Sequence, residues 1–116
     1  MKDFSIYFNR RKQWIDVFLQ DVHPNTFHRR KNGRWAYFQA TWTNRRRGKF
    51  GELHFVRSRL RFDTIAHEIH HAIVEWYWAR GSVIDRNNEE ASATMTDELN
   101  RKFIRELRKV YPKVRL

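Results

Sequence analysis

The residues with most capacity for chemistry lie together at His67-Glu68-Ile69-His70-His71. This is an H-E-x-x-H string, in which Ile69 and His70 fill the variable positions. On a helix, His67 and His71 share one face, one turn apart. Two imidazoles so placed can bind one zinc ion. Glu68 stands one step round the helix, beside a metal rather than on it. A carboxylate there can take a proton from a water molecule activated by the metal and return it to a leaving amine.

The segment around the string has the pattern of a helix. From Asp63 onward, Ile65, Ile69, Ala72, Ile73 and Trp76 fall on one helical face. Asp63 suits the N-cap and Gly81 the C-terminal stop. Upstream, Trp14, Val17, Phe18 and Val22 are spaced as in a helix over residues 10–22, which Pro24 ends. Trp35 to Thr43 reads as a strand. Gly51 to Val56 reads as a second one, antiparallel to it across a short basic turn, and Phe4 to Phe8 as a third. Asn87 can cap a last helix whose inward positions are Ser92, Met95, Leu99, Phe103 and Leu107, ending near Pro112. The expected fold is α+β: an N-terminal helix, a small antiparallel sheet, the helix carrying the histidines and a C-terminal helix. Its 116 residues make one domain, 1–116.

A zinc site that keeps a position open for water needs a third protein ligand. No His follows His71. Glu75 lies on the same side of the helix, but its Cα is about 12 Å along the axis from that of His67, which suits a supporting position better than ligation. The remaining candidates are Glu89 and Glu90. At about 100° per residue, Glu89 falls about 60° from Ser92, at the edge of the buried stripe, whereas Glu90 falls nearly opposite. Glu90 also stands three residues after Asn87, in the capping-box position. The preferred ligand is therefore Glu89, with Glu90 as the alternative.

With these residues in view, the chain resembles the gluzincin metallopeptidases, which carry H-E-x-x-H on one helix and a ligand Glu on a following one. Asn88-Glu89-Glu90-Ala91-Ser92 is similar to the N-E-x-x-S stretch around that Glu. The fuller pattern has an Asp next, where this chain has Ala93. In size and order of elements the chain resembles the minigluzincins and the small phage-type or SprT-like metalloproteases, although the SprT-like enzymes use a third His that is missing here. The resemblance covers about residues 50–105. It implies a zinc peptidase, active or latent, acting on a peptide or protein, with His67, His71 and Glu89 on the metal and Glu68 as general base and then acid. It also implies a strand before the helix that pairs with extended substrate, in the place of Gly51 to Val56, and a Tyr or His at the oxyanion, for which His54, Tyr77 and Tyr111 are candidates.

Composition sets the outer limits. There is no Cys, which excludes a disulfide framework, Cys-ligated zinc and a thiol nucleophile. No apolar run approaches a membrane span, and Met1 to Ile6 has no secretion-signal core, so a cytoplasmic protein is expected. Lys and Arg number 24 against 13 Asp and Glu, a net charge of +11 that points to polyanionic partners. Arg10 to Lys12, His28 to Lys31 and Arg45 to Lys49 form basic clusters. Arg57, Arg59 and Arg61 would line one face of a strand, with Trp35, Tyr37, Phe38 and Trp42 available to stack bases. The competing reading is a non-enzymatic nucleic-acid-binding or host-interaction protein whose zinc, if any, is structural.

Overall fold

Alternation of apolar residues organises the N-terminal half. In Phe4-Ser5-Ile6-Tyr7-Phe8 and in Ile15-Asp16-Val17-Phe18-Leu19, every second side chain is apolar and buried, the pattern of strands with one face on a core. The computed structural model describes residues 1–8, 12–21, 35–41 and 48–116. Its strands are β1 (Phe4–Phe8), β2 (Gln13–Gln20), β3 (Ala36–Ala40) and β4 (Gly48–Val56). The helices α1 (Phe62–Trp78) and α2 (Glu89–Val110) follow.

The expected N-terminal helix is therefore replaced by β2. Trp14, Val17 and Phe18 match a helical spacing, but Ile15, Val17 and Leu19 match a strand. Pairing on both sides decides between them, because β2 lies antiparallel to β1 and parallel to β4. The sheet is consequently mixed rather than antiparallel, in the order β1-β2-β4-β3. The expected antiparallel pairing of β3 with β4 and the third strand at Phe4 to Phe8 are both present. Pro24 and the turns at 28–33 and 45–47 lie outside the described residues.

One register step skips Phe50: Trp14 pairs with Lys49, and Ile15 with Gly51. This bulge turns Phe50 toward the core, where its ring meets Phe8 edge-on at 5.9 Å and Phe38 at 6.0 Å. Beyond it, Gly51, Leu53 and Phe55 share a face with Ile15, Val17 and Leu19, and both helices cover that face. The core joins these strand residues to Ile65, Ile69 and Ile73 of α1 and to Leu99, Phe103 and Leu107 of α2. Phe103 contacts Phe4 and Phe55 edge-on, at 5.2 and 5.3 Å.

Polar contacts fix the helix ends to the sheet. The buried amide of Gln13 accepts from Trp76 Nε1 at 3.2 Å and from Arg80 Nη2 at 2.7 Å. Lys102 Nζ donates to the Tyr7 carbonyl at 2.6 Å. Gly81, at φ +71°, stops the segment after α1 as expected. The helix starts differ from expectation by two residues in α1, whose N-cap is Arg61, and by one in α2. Asp63 lies inside the first turn of α1, and Asn88 rather than Asn87 caps α2. Asn88 holds the preceding loop, since its Nδ2 donates to the Val83 carbonyl and its Oδ1 accepts from Asp85 N–H. Among the described residues, no helix is long and apolar enough to cross a membrane.

Candidate metal centre

Helix α1 presents its buried stripe to the sheet and to α2, and the histidines project from the flank of that stripe. His67 is half-buried and His71 exposed, and their Nε2 atoms stand 3.1 Å apart. The rings meet nearly at right angles, with centroids 4.7 Å apart. Two nitrogens at about 2.05 Å on a tetrahedral zinc would be about 3.3 Å apart. The separation therefore fits two corners of such a site. It also suits a hydrogen bond in which one ring donates its Nε2–H and the other accepts. Glu68 is 3% exposed, on the stripe itself. His70 is exposed on another side of the helix.

The donor set fits the two-histidine part of a zinc site and stops there. Among the described residues, no group of three or more His, Asp or Glu side chains is gathered closely enough to hold one metal ion. His67 and His71 are brought together; Glu89 is not brought to them. Glu89 is the first residue of α2 and is exposed, as is Glu90. With the cap at Asn88, Glu90 is the second helical residue, so the capping-box task that would set it apart falls instead to the position of Ala91. The stripe-edge position expected for Glu89 does not set it apart either, since its side chain is exposed like that of Glu90; only its backbone carbonyl is engaged, accepting from the hydroxyl of buried Ser92 at 2.8 Å. Glu75 is half-buried, and its Oε2 has no hydrogen-bond partner among the described residues.

Strand order changes which backbone is open to a partner. β4 is paired on both sides, so it has no free edge for an extended peptide; among the described strands the edges are β1 and, beside β4, β3. β3 also packs on α1.

The outer face of the sheet carries a cluster that spacing alone did not reveal. Cross-strand rows bring together Ser5, Asp16, Glu52 and Gln39 and, next to them, Phe18, His54 and Tyr37. Ser5 Oγ donates to Asp16 Oδ1 at 2.7 Å, and Lys49 bridges Asp16 and Glu52. His54 lies between the rings of Phe18 and Tyr37, stacked at 4.6 Å on each side, with its Nε2 2.8 Å from Glu52 Oε1. Burial alone would raise the Glu52 carboxyl. Hydrogen bonds from Lys49 and His54 outweigh it and hold the group below its ordinary 4.5. The Glu52 hydrogen bond in turn raises Lys49 above 10.5, against the opposing effect of burial. His54 thus faces away from the helices, which removes it from the oxyanion candidates. The alternation of Glu52 with His54 was the one sequence signal for this cluster. Its partners on β2 are hidden once that segment is read as a helix.

The expected arginine stripe does not form. Arg57 to Arg59 make a single 3-10 turn. Arg57 pairs with Asp21 at 3.2 Å, Arg59 lies over the Trp35 ring at 5.2 Å, and Arg61 pairs with Asp63 at 3.4 Å. Phe38 packs against the core, and Tyr37 against His54. Residues 10, 11, 28–31, 42 and 45–47 lie outside the described set. No family model, curated protein or solved structure matches the chain.

Proposed function

We propose that this chain is a small zinc-dependent peptidase of the zincin kind. The observation that carries the proposal is the meeting of the His67 and His71 Nε2 atoms at 3.1 Å, with Glu68 on the adjoining helical step. His67 and His71 would hold the metal, and Glu89 is the proposed third ligand; it stands apart from the pair, so ligation requires the first turn of α2 to shift toward the histidines. Bound zinc supplies a Lewis acid that polarises a peptide carbonyl and acidifies water. The Glu68 carboxylate takes the proton of the attacking water and delivers it to the nitrogen of the leaving amine. Its burial keeps that proton from bulk solvent. The outer edge of β3, unpaired among the described residues, aligns an extended peptide through main-chain hydrogen bonds.

The test is cleavage of a denatured protein substrate by the zinc-loaded chain. Cleavage is expected to vanish in Glu68→Gln while zinc content stays unchanged. Glu89→Ala should lower zinc affinity, and Glu90→Ala should not. A zinc-loaded wild-type chain that leaves every denatured substrate intact would sink the peptidase reading. A second reading, a non-enzymatic nucleic-acid-binding protein, draws on the net charge of +11. It predicts binding to DNA that weakens steeply with salt and is indifferent to Glu68→Gln.

A further inference from the structure

Helices α1 and α2 lie antiparallel, so the start of α1 sits beside the second half of α2. Between and over them is an open trough of about 1110 Å³. Its apolar floor is Phe62, Ala66 and Ile104, and Phe62 is 53% exposed. An exposed Phe at a helix start gains nothing for the fold from solvent, and a contiguous apolar strip framed by charge marks an interaction site.

The rim is cationic. Arg101, Arg105 and Arg108 fall within about 60° of one another on α2 at about 100° per residue, and Arg101 and Arg108 lie about 10.5 Å apart along the axis. Among the described residues, Arg101 and Arg108 form no ion pair, whereas Arg105 and Lys109 are engaged by Glu106. Asp97 and Glu98 lie at the far end of the trough.

We infer that this trough docks an acidic amphipathic helix of a partner protein, its apolar side on Phe62, Ala66 and Ile104 and its carboxylates on Arg101, Arg105 and Arg108. An incoming helix repeats its side chains at i, i+4 and i+7, the same spacing as the three arginines, so one acidic stripe meets all three. The carboxylates of Asp97 and Glu98 receive a basic residue at one end of that helix and set its direction. The same carboxylates disfavour a nucleic-acid backbone, and Phe62 alone offers no succession of rings for stacked bases. The histidine pair lies on a different flank of α1 and takes no part in the trough.

The probe is a labelled Leu/Glu amphipathic helical peptide of about four turns, followed by fluorescence anisotropy. The controls are the same peptide with Lys in place of Glu, and oligo-dT. The full chain should bind the Leu/Glu peptide, more weakly as salt rises, and should not bind the Leu/Lys peptide. The double variant Arg101→Glu with Arg108→Glu should bind roughly tenfold or more weakly. Phe62→Ser, checked by circular dichroism to be folded, should lose a similar factor. His67→Ala should bind as wild type does. No binding of the Leu/Glu peptide at low salt, equal binding of the Lys peptide, or an arginine-dependent preference for oligo-dT would each overturn the assignment.

Discussion

The Nε2 atoms of His67 and His71 face each other at 3.1 Å across one turn of α1. A metal that binds the folded chain and not the unfolded one raises stability by mass action. Zinc at about a hundred times its dissociation constant should add about 2.7 kcal/mol. Thermal melts with zinc and with chelator are expected to differ accordingly for wild type and for Glu68→Gln. They should coincide for His67→Ala and for His71→Ala. A zinc shift that survives both histidine variants would place the ion elsewhere.

Glu52 and Lys49 make the outer sheet face sensitive to pH at both extremes. Glu52 is held below 4.5 in the fold, so its stabilising effect is complete above 4.5 and is lost as pH falls through the lower folded value. Lys49 is raised above 10.5, so its effect is complete below 10.5 and is lost as pH climbs through the higher folded value. Both side chains are about one-quarter to one-third exposed, which limits the pair to about 1 kcal/mol. Urea melts should find Glu52→Gln less stable than wild type by about that amount near neutrality. The gap should close on acidification below 4.5. A gap that stays constant down to strong acid would show that the ionised form of Glu52 is not what stabilises.

Phe103 fastens α2 to the sheet. It is fully buried and meets Phe4 and Phe55 edge-on. Phe103→Ala should cost about 3–5 kcal/mol, the range for truncating a fully buried aromatic. Trp78→Ala, at a position 64% exposed, should stay within about 0.5 kcal/mol. Denaturant midpoints of the two variants, compared at equal slope, decide this.

Gly51 is a glycine for reasons of space. A Cβ there would stand 2.6 Å from the Gln39 carbonyl oxygen and 2.7 Å from the Phe38 ring. The first is backbone of the paired strand and cannot move without shifting β3. Gly51→Ala is expected to destabilise by about 1–3 kcal/mol and, if β3 aligns the substrate, to lower activity as well. A Cβ on Gly48 would meet open space, but its φ is +89°, so Gly48→Ala should suffer from backbone strain alone. Stability measured for both variants separates crowding from strain.

The two helices were legible because their apolar residues repeat over about three turns or more, and Gly81 and Pro112 bound them where their chemistry predicts. β1, β3 and β4 were legible from alternation and aromatic content. The Gln13–Gln20 segment was not. Its eight residues are rich in apolar side chains on both faces, so Val17 and Phe18 satisfy a helical period while Ile15, Val17 and Leu19 satisfy a strand period. A segment that short cannot discriminate between the two by itself. Its neighbours did so, by hydrogen bonding on both edges.

The candidate site divides in the same way. Sequence by itself determined the His67-Glu68-His71 arrangement, because positions four apart on one helix are neighbours by local geometry. The tertiary structure decided everything that depends on a second element. Among the described strands it put β3 rather than β4 at an edge of the sheet, because a parallel pairing with β2 moved β4 to the interior. It turned His54 away from the helices, because strand register assigns alternate residues to opposite faces. It left Glu89 apart from the histidines, because the depth at which α2 begins beside α1 is fixed by core packing around Leu99, Phe103 and Leu107 rather than by any spacing along the chain.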